Sequence, residues 1–167
     1  MRAAAAALIF AACLFAGSLA RGSLRRSEQI LSQLCVFLRR LRFCARLHRP
    51  LGAVIAQAAD DPDLSALVFL SGCAASCRGG TALPQAWRDA VHTTPAGRTI
   101  ERYIPSLVSL IPALASADGR QVDALLELYE AQARDALQNA RQKSERVGSV
   151  YLQAGGAVGI LLGIMIL

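Results

Sequence analysis

"DGRQVDALLELYEAQARDALQNA", from Asp118 to Ala140, decides the fold. Val122, Leu125, Leu126, Tyr129, Ala133, Ala136, Leu137 and Ala140 recur in steps of three and four, which gathers them on one side of an α-helix. Asp118 offers an oxygen to the unpaired amides of the first turn, and Gln121 three residues on completes a capping box. Neither proline nor glycine interrupts the run between Arg120 and Val147, so the helix is expected to continue to Gly148. An apolar stripe this long must be covered by other helices.

Upstream, Leu31, Leu34, Leu38, Leu41 and Ala45 form a second such stripe, with Arg39, Arg40, Arg42 and Arg46 largely off it. Pro50 opens a short helix carrying Leu51, Val54, Ile55 and Ala58, which "ADDPD" (59–63) closes. Asp61 then caps a third helix with Pro62 at its first position, running to the Gly79–Gly80 break. "TALPQAWRDAV" (81–91) is a fourth helix presenting Trp87 and Val91, and "HTTPAGR" (92–98) reads as a loop. Pro105 and Pro112 should kink or split the apolar stretch from Ile100 to Ser116. No segment alternates as a strand would. The fold class is all-α, an antiparallel bundle of about six helices. Leu34, Leu38, Leu41, Trp87, Leu125 and Tyr129 are its expected core, and Asp61 and Asp118 its helix caps.

The two ends are of a different kind. Among 167 residues with a net charge of +6 and 54% hydrophobic content, Ala3–Ala20 and Val147–Leu167 carry no charge at all. Each run approaches the roughly 20 apolar residues that cross a bilayer as a helix. We therefore expect residues 1–20 to be an N-terminal membrane anchor or a signal-like segment, residues 21–147 a helical domain, and residues 148–167 a C-terminal transmembrane helix. Arg21, Arg25, Arg26, Arg39, Arg40 and Arg42 follow the first run, and Arg134, Arg141, Lys143 and Arg146 precede the second. Basic residues stay on the cytoplasmic side, so both flanks place the middle domain there. A cleaved N-terminal segment gives the alternative, an extracytoplasmic binding domain held by a single C-terminal anchor. Gly155, Gly159 and Gly163, four apart in the last run, make overlapping G-x-x-x-G steps for close helix packing, with another copy or with the first span.

Chemistry is sparse in this chain. A hydrolase needs a nucleophile beside a base, but His48 and His92 fall in a helix connection and the supposed loop. "CRGGTALP" (77–84) lacks the lysine of a phosphate-binding loop. Asp60, Asp61 and Asp63 stand where carboxylates favour a helix start, a simpler account than a metal site. Cys35, Cys44, Cys73 and Cys77 could make two bridges in an extracellular domain but are expected as reduced thiols in a cytoplasmic one, and Cys73 and Cys77 read as small buried hydrophobes rather than half of a metal site. No catalytic, cofactor or metal residue is assigned, and the chain is expected not to be an enzyme. The arginine face of the first helix suits a lipid headgroup or an acidic protein partner rather than nucleic acid.

The order of these features resembles stage III sporulation protein AB along essentially the whole chain. The resemblance rests on an N-terminal span, "RRSEQILSQL" (25–34), Pro50–Leu51, Ala86–Trp87, Asp118 with Gln121 opening a long helix, and a glycine-rich final span. Leu114–Ala115 stands where the family has Leu-Gly, and the Asp118–Gln121 spacing is three rather than four. The resemblance implies a part in the channel complex joining mother cell to forespore. It also implies a middle domain similar to the cytoplasmic domain of type II secretion platform proteins. The implied location is the outer forespore membrane on the mother-cell side. The implied partners are an ATPase like stage III sporulation protein AA and other membrane proteins of the complex, with self-association through the last helix.

Overall fold

A computed structural model describes the backbone of residues 2–166 and the side chains of residues 22, 24–119 and 121–145. Every regular element among them is helical. In order these are α1 (Arg2–Arg46), α2 (Leu51–Ala59), a 3-10 turn (Pro62–Leu64), α3 (Val68–Arg78), α4 (Leu83–Thr93), α5 (Pro95–Tyr103), a 3-10 turn (Pro105–Ser109), α6 (Leu110–Ser116) and α7 (Gly119–Ile166). The two expected spans fall at the start of α1 and the end of α7, and their side chains, with the surroundings of Gly155, Gly159 and Gly163, lie outside what is described. Among the described residues no helix is long and apolar enough to cross a membrane.

The chain divides into two units. Residues 1–26 with 139–167 form one, in which Ala140 is buried. Residues 27–138 form the other, which holds the helical core. There the stripe on α1 is fully covered, with Leu31, Leu34, Leu38 and Leu41 all without solvent exposure. On α7 the stripe is rotated slightly from expectation. Leu126, Tyr129, Ala133 and Ala136 are buried, whereas Leu125 is only half-buried. The rotation brings Glu130 inside, at 5% exposure.

Between the two long helices the short ones wrap Trp87, which is fully buried on α4. Its ring lies nearly parallel to Phe37 of α1 at 6.3 Å between centroids, and edge-on to Phe69 of α3 at 5.3 Å. The indole Nε1 donates to the Leu107 carbonyl at 3.0 Å, which satisfies the one polar atom that burial of tryptophan would otherwise strand. From the other side Tyr129 Oη of α7 donates to the Ser106 carbonyl at 3.0 Å, and Ser106 Oγ donates to Gln132 Oε1 at 2.9 Å. The turn Pro105–Ser109 is thus tied to α4 and α7.

Three connections differ from the sequence reading. The third helix does not start at Pro62. Asp61 caps only the 3-10 turn, its carboxylate accepting from Asp63 N at 2.8 Å, and α3 begins six residues later than expected, at Val68. The break lets Leu64 and Leu67 both enter the core, and Gln33 Oε1 on α1 accepts the freed Ala66 amide at 2.8 Å. The stretch 92–98 is not a loop. Thr94 ends α4 by donating to the Ala90 carbonyl at 2.8 Å and starts α5 by accepting from Gly97 N at 3.1 Å, with Pro95 at the first helical position. The corner is so tight that a Cβ at Gly97 would collide with the Val91 carbonyl and lie 2.6 Å from Val91 Cα. Finally, only Pro105 splits the stretch 100–116. Pro112 falls in the first turn of α6, where an amide has no intrahelical partner to lose.

Candidate functional site

The last three turns of α1 carry four arginines, and its two flanks use them differently. Arg39, Arg42 and Arg46 form one column at three- and four-residue spacing. On α7 Asp123, Glu127, Glu130 and Arg134 form another. The two helices run antiparallel here, so the columns meet in opposite order. Arg42 donates to both Asp123 oxygens, at 2.8 and 3.0 Å, to Glu127 Oε2 at 2.8 Å and to Glu130 Oε2 at 3.4 Å. Arg46 forks onto the same Asp123 with two bonds of 3.0 Å. Arg39 reaches Glu130 at 3.5 Å, and Arg134 donates to it at 3.2 Å from one turn along α7. Held first by Arg42 and then by Arg46, the Asp123 carboxyl stays well below the usual carboxylate range. The same bonds raise both guanidinium groups above the ordinary arginine value.

On the opposite flank α1 and α2 enclose a groove of about 370 Å³. Phe37, Val54, Ala58 and Cys44 line it with Phe43, while Arg39, Arg40, Arg49, Gln57 and Asp61 stand at its edges. Arg40 is paired with Asp61 and lies 3.5 Å from Asp63. Asp61 is lowered first by the Asp63 amide and then by Arg40. Arg49 donates only to Gln57 Oε1, at 3.3 Å, and no carboxylate among the described residues pairs with it. Phe43 in its lining is 65% exposed, and Leu47, four residues on, is 58% exposed.

Local chain geometry puts Arg49 there. α1 ends with His48 in the left-handed region at φ 53°, His48 N donating to Ala45 O and Arg49 N to Cys44 O at 3.0 and 3.1 Å. α3 ends the same way, with Gly80 at φ 91°. Glycine favours that conformation and histidine resists it, so the turn after α1 is held by what surrounds it.

Of the residues singled out from sequence, Leu34, Leu38, Leu41 and Trp87 have no exposure and Tyr129 has 6%. Asp118 N donates to Gln121 Oε1 at 3.4 Å, the returning half of the capping box. The arginine face proves different from a free basic surface, because Arg39, Arg42 and Arg46 are occupied by the chain's own acids. Asp123, Glu127 and Glu130 went unremarked in the sequence, although their spacing marks a column complementary to the arginines. No disulfide joins the four described cysteines. Cys73 is buried, and desolvation, followed by the neighbouring Cys77, pushes its thiol up to about 12, while Cys77 is half-buried. Among the described residues no three metal-binding side chains come together.

Fold and site thus define an all-α domain whose two long helices are clasped by charge and whose short helices frame a basic-edged groove. The family described as stage III sporulation protein AB matches residues 2–167. The chain belongs to that family, and its role is in sporulation. No curated protein and no solved structure matches it.

Proposed function

We propose that the chain is a membrane-anchored, non-enzymatic adaptor of the channel complex between mother cell and forespore. Residues 1–20 and 148–167 hold it in the outer forespore membrane, and the helical domain faces the mother-cell cytoplasm, where it docks an ATPase like stage III sporulation protein AA. The observation that carries this reading is the pair of uncharged terminal runs, each bordered by arginine on its inner side, around a helical unit. Gly155, Gly159 and Gly163 serve association of the last helix with another copy or with neighbouring membrane proteins of the complex.

Two measurements test it. An impermeant thiol reagent should leave Cys44 and Cys77 unlabelled in intact cells and reach them after lysis; efficient labelling before lysis places the domain outside and overturns the reading. The full-length chain should also capture the ATPase from sporulating cells solubilised in mild detergent. Absence of the ATPase from that capture removes the adaptor role.

A further inference from the structure

We infer that the groove between α1 and α2 receives an amphipathic helix of a partner protein, acidic along one flank. The inference rests on the adaptor reading and names the surface that reading lacks. Phe37 and Val54 give the groove an apolar floor, and Phe43 adds an exposed aromatic wall. Three guanidinium groups, Arg39, Arg40 and Arg49, stand around it against the single carboxylate of Asp61. Arg40 is consumed by that carboxylate. Arg39 is turned to Glu130 of the chain itself, whereas Arg49 has only the neutral Gln57. An occupant must therefore bring apolar side chains for the floor and negative charge for Arg49.

A helix laid in a groove does both, with anchors at three- and four-residue spacing and carboxylates beside them. A bilayer surface could meet the exposed Phe43 but would leave the recessed floor of Phe37 and Val54 unfilled. A second copy of the chain would have to offer acids other than its column of Asp123, Glu127 and Glu130, which its own arginines already hold.

The test places the photoreactive residue p-benzoylphenylalanine at position 43, in the groove lining, of the full-length chain in sporulating cells, with the same residue at the exposed Leu128 as a control. After irradiation the crosslinked peptide is sequenced by mass spectrometry. The expected product is a segment of another protein with helical apolar spacing and flanking Asp or Glu. Its yield should fall about tenfold with Arg49→Glu and recover with Arg49→Lys, as loss of a charge-complementary contact would require. Crosslinks to lipid, to nucleic acid, to a second copy, or none above the Leu128 control overturn the inference, as does a yield indifferent to Arg49→Glu. ATPase capture by the unaltered chain is scored separately. If it fails while the acidic-helix crosslink persists, the adaptor reading falls and the groove assignment stands.

Discussion

On one flank of α1, Arg42 and Arg46 converge on Asp123, and two turns along α7 Glu130 is buried beneath Arg39, Arg42 and Arg134. On the other, Arg49 ends beside a neutral amide, in a groove that it lines with exposed Phe43. The residue type is the same, yet the first set clamps the fold together and the second is available to something outside it. Surplus charge in a sequence does not mark a binding surface. What marks it is charge left over after the chain's own acids have been assigned.

The comparison breaks most severely if the packing beneath both flanks is removed. Trp87→Ala deletes a fully buried ring and its hydrogen bond to the Leu107 carbonyl, and should cost about 3–5 kcal/mol, read by urea denaturation followed by far-ultraviolet circular dichroism. Next comes Glu130→Ala, which leaves Arg42, only 21% exposed, short of a partner. We expect about 1–2 kcal/mol, since Arg42 keeps Asp123 and Glu127 while Arg39 and Arg134 can return to water. A loss below about 0.5 kcal/mol would show that the clasp is an ordinary surface pairing.

The clasp should also show itself in acid. Asp123 titrates below its ordinary value in the folded chain, so the unfolded chain binds its proton first as pH falls. Its contribution is complete above the unfolded value of about 4 and is lost progressively as pH drops toward the folded one. Asp123→Asn should therefore be less stable at pH 7 and lose less between about pH 4 and pH 2 than the parent. Parallel acid profiles would remove the clasp from the pH dependence. The smallest effects are expected on the open flank. Phe43→Ala and Arg49→Glu should each stay within about 0.5 kcal/mol of the parent in stability, whatever they do to a partner. A larger loss from Arg49→Glu would mean that this flank, too, belongs to the fold.

How much of this the sequence disclosed depends on range. The stripes on α1 and α7 were legible because helical periodicity is local, and Leu34, Leu38 and Leu41 needed nothing else to be placed inside. Leu125 misled because a stripe two residues wide leaves about one residue of rotation undetermined, and burial of Glu130 under three arginines settled that rotation. The Pro62–Leu67 region misled for a similar reason. Its helix signals were sound, but burying both Leu64 and Leu67, with the Ala66 amide bonded to Gln33 of α1, outweighed continuing the turn. By contrast, Thr94–Pro95 was an overlooked local signal, a cap followed by a proline at the first helical position. The clasp and the groove depend on which helix meets which. Neither α1 nor α7 states that alone, although their matching columns of opposite charge hint at it.

Trp87 is the chain's only tryptophan, and its indole is dry, flanked by two phenylalanines and bonded to one carbonyl. The protein therefore carries a built-in optical label. Its emission should be blue-shifted in the native state and move to the red only when water reaches α1, α3 and α4 together. The other unit contributes no tryptophan, so detergent, lipid or association at the chain's ends can be varied while that one wavelength reports the integrity of residues 27–138 alone.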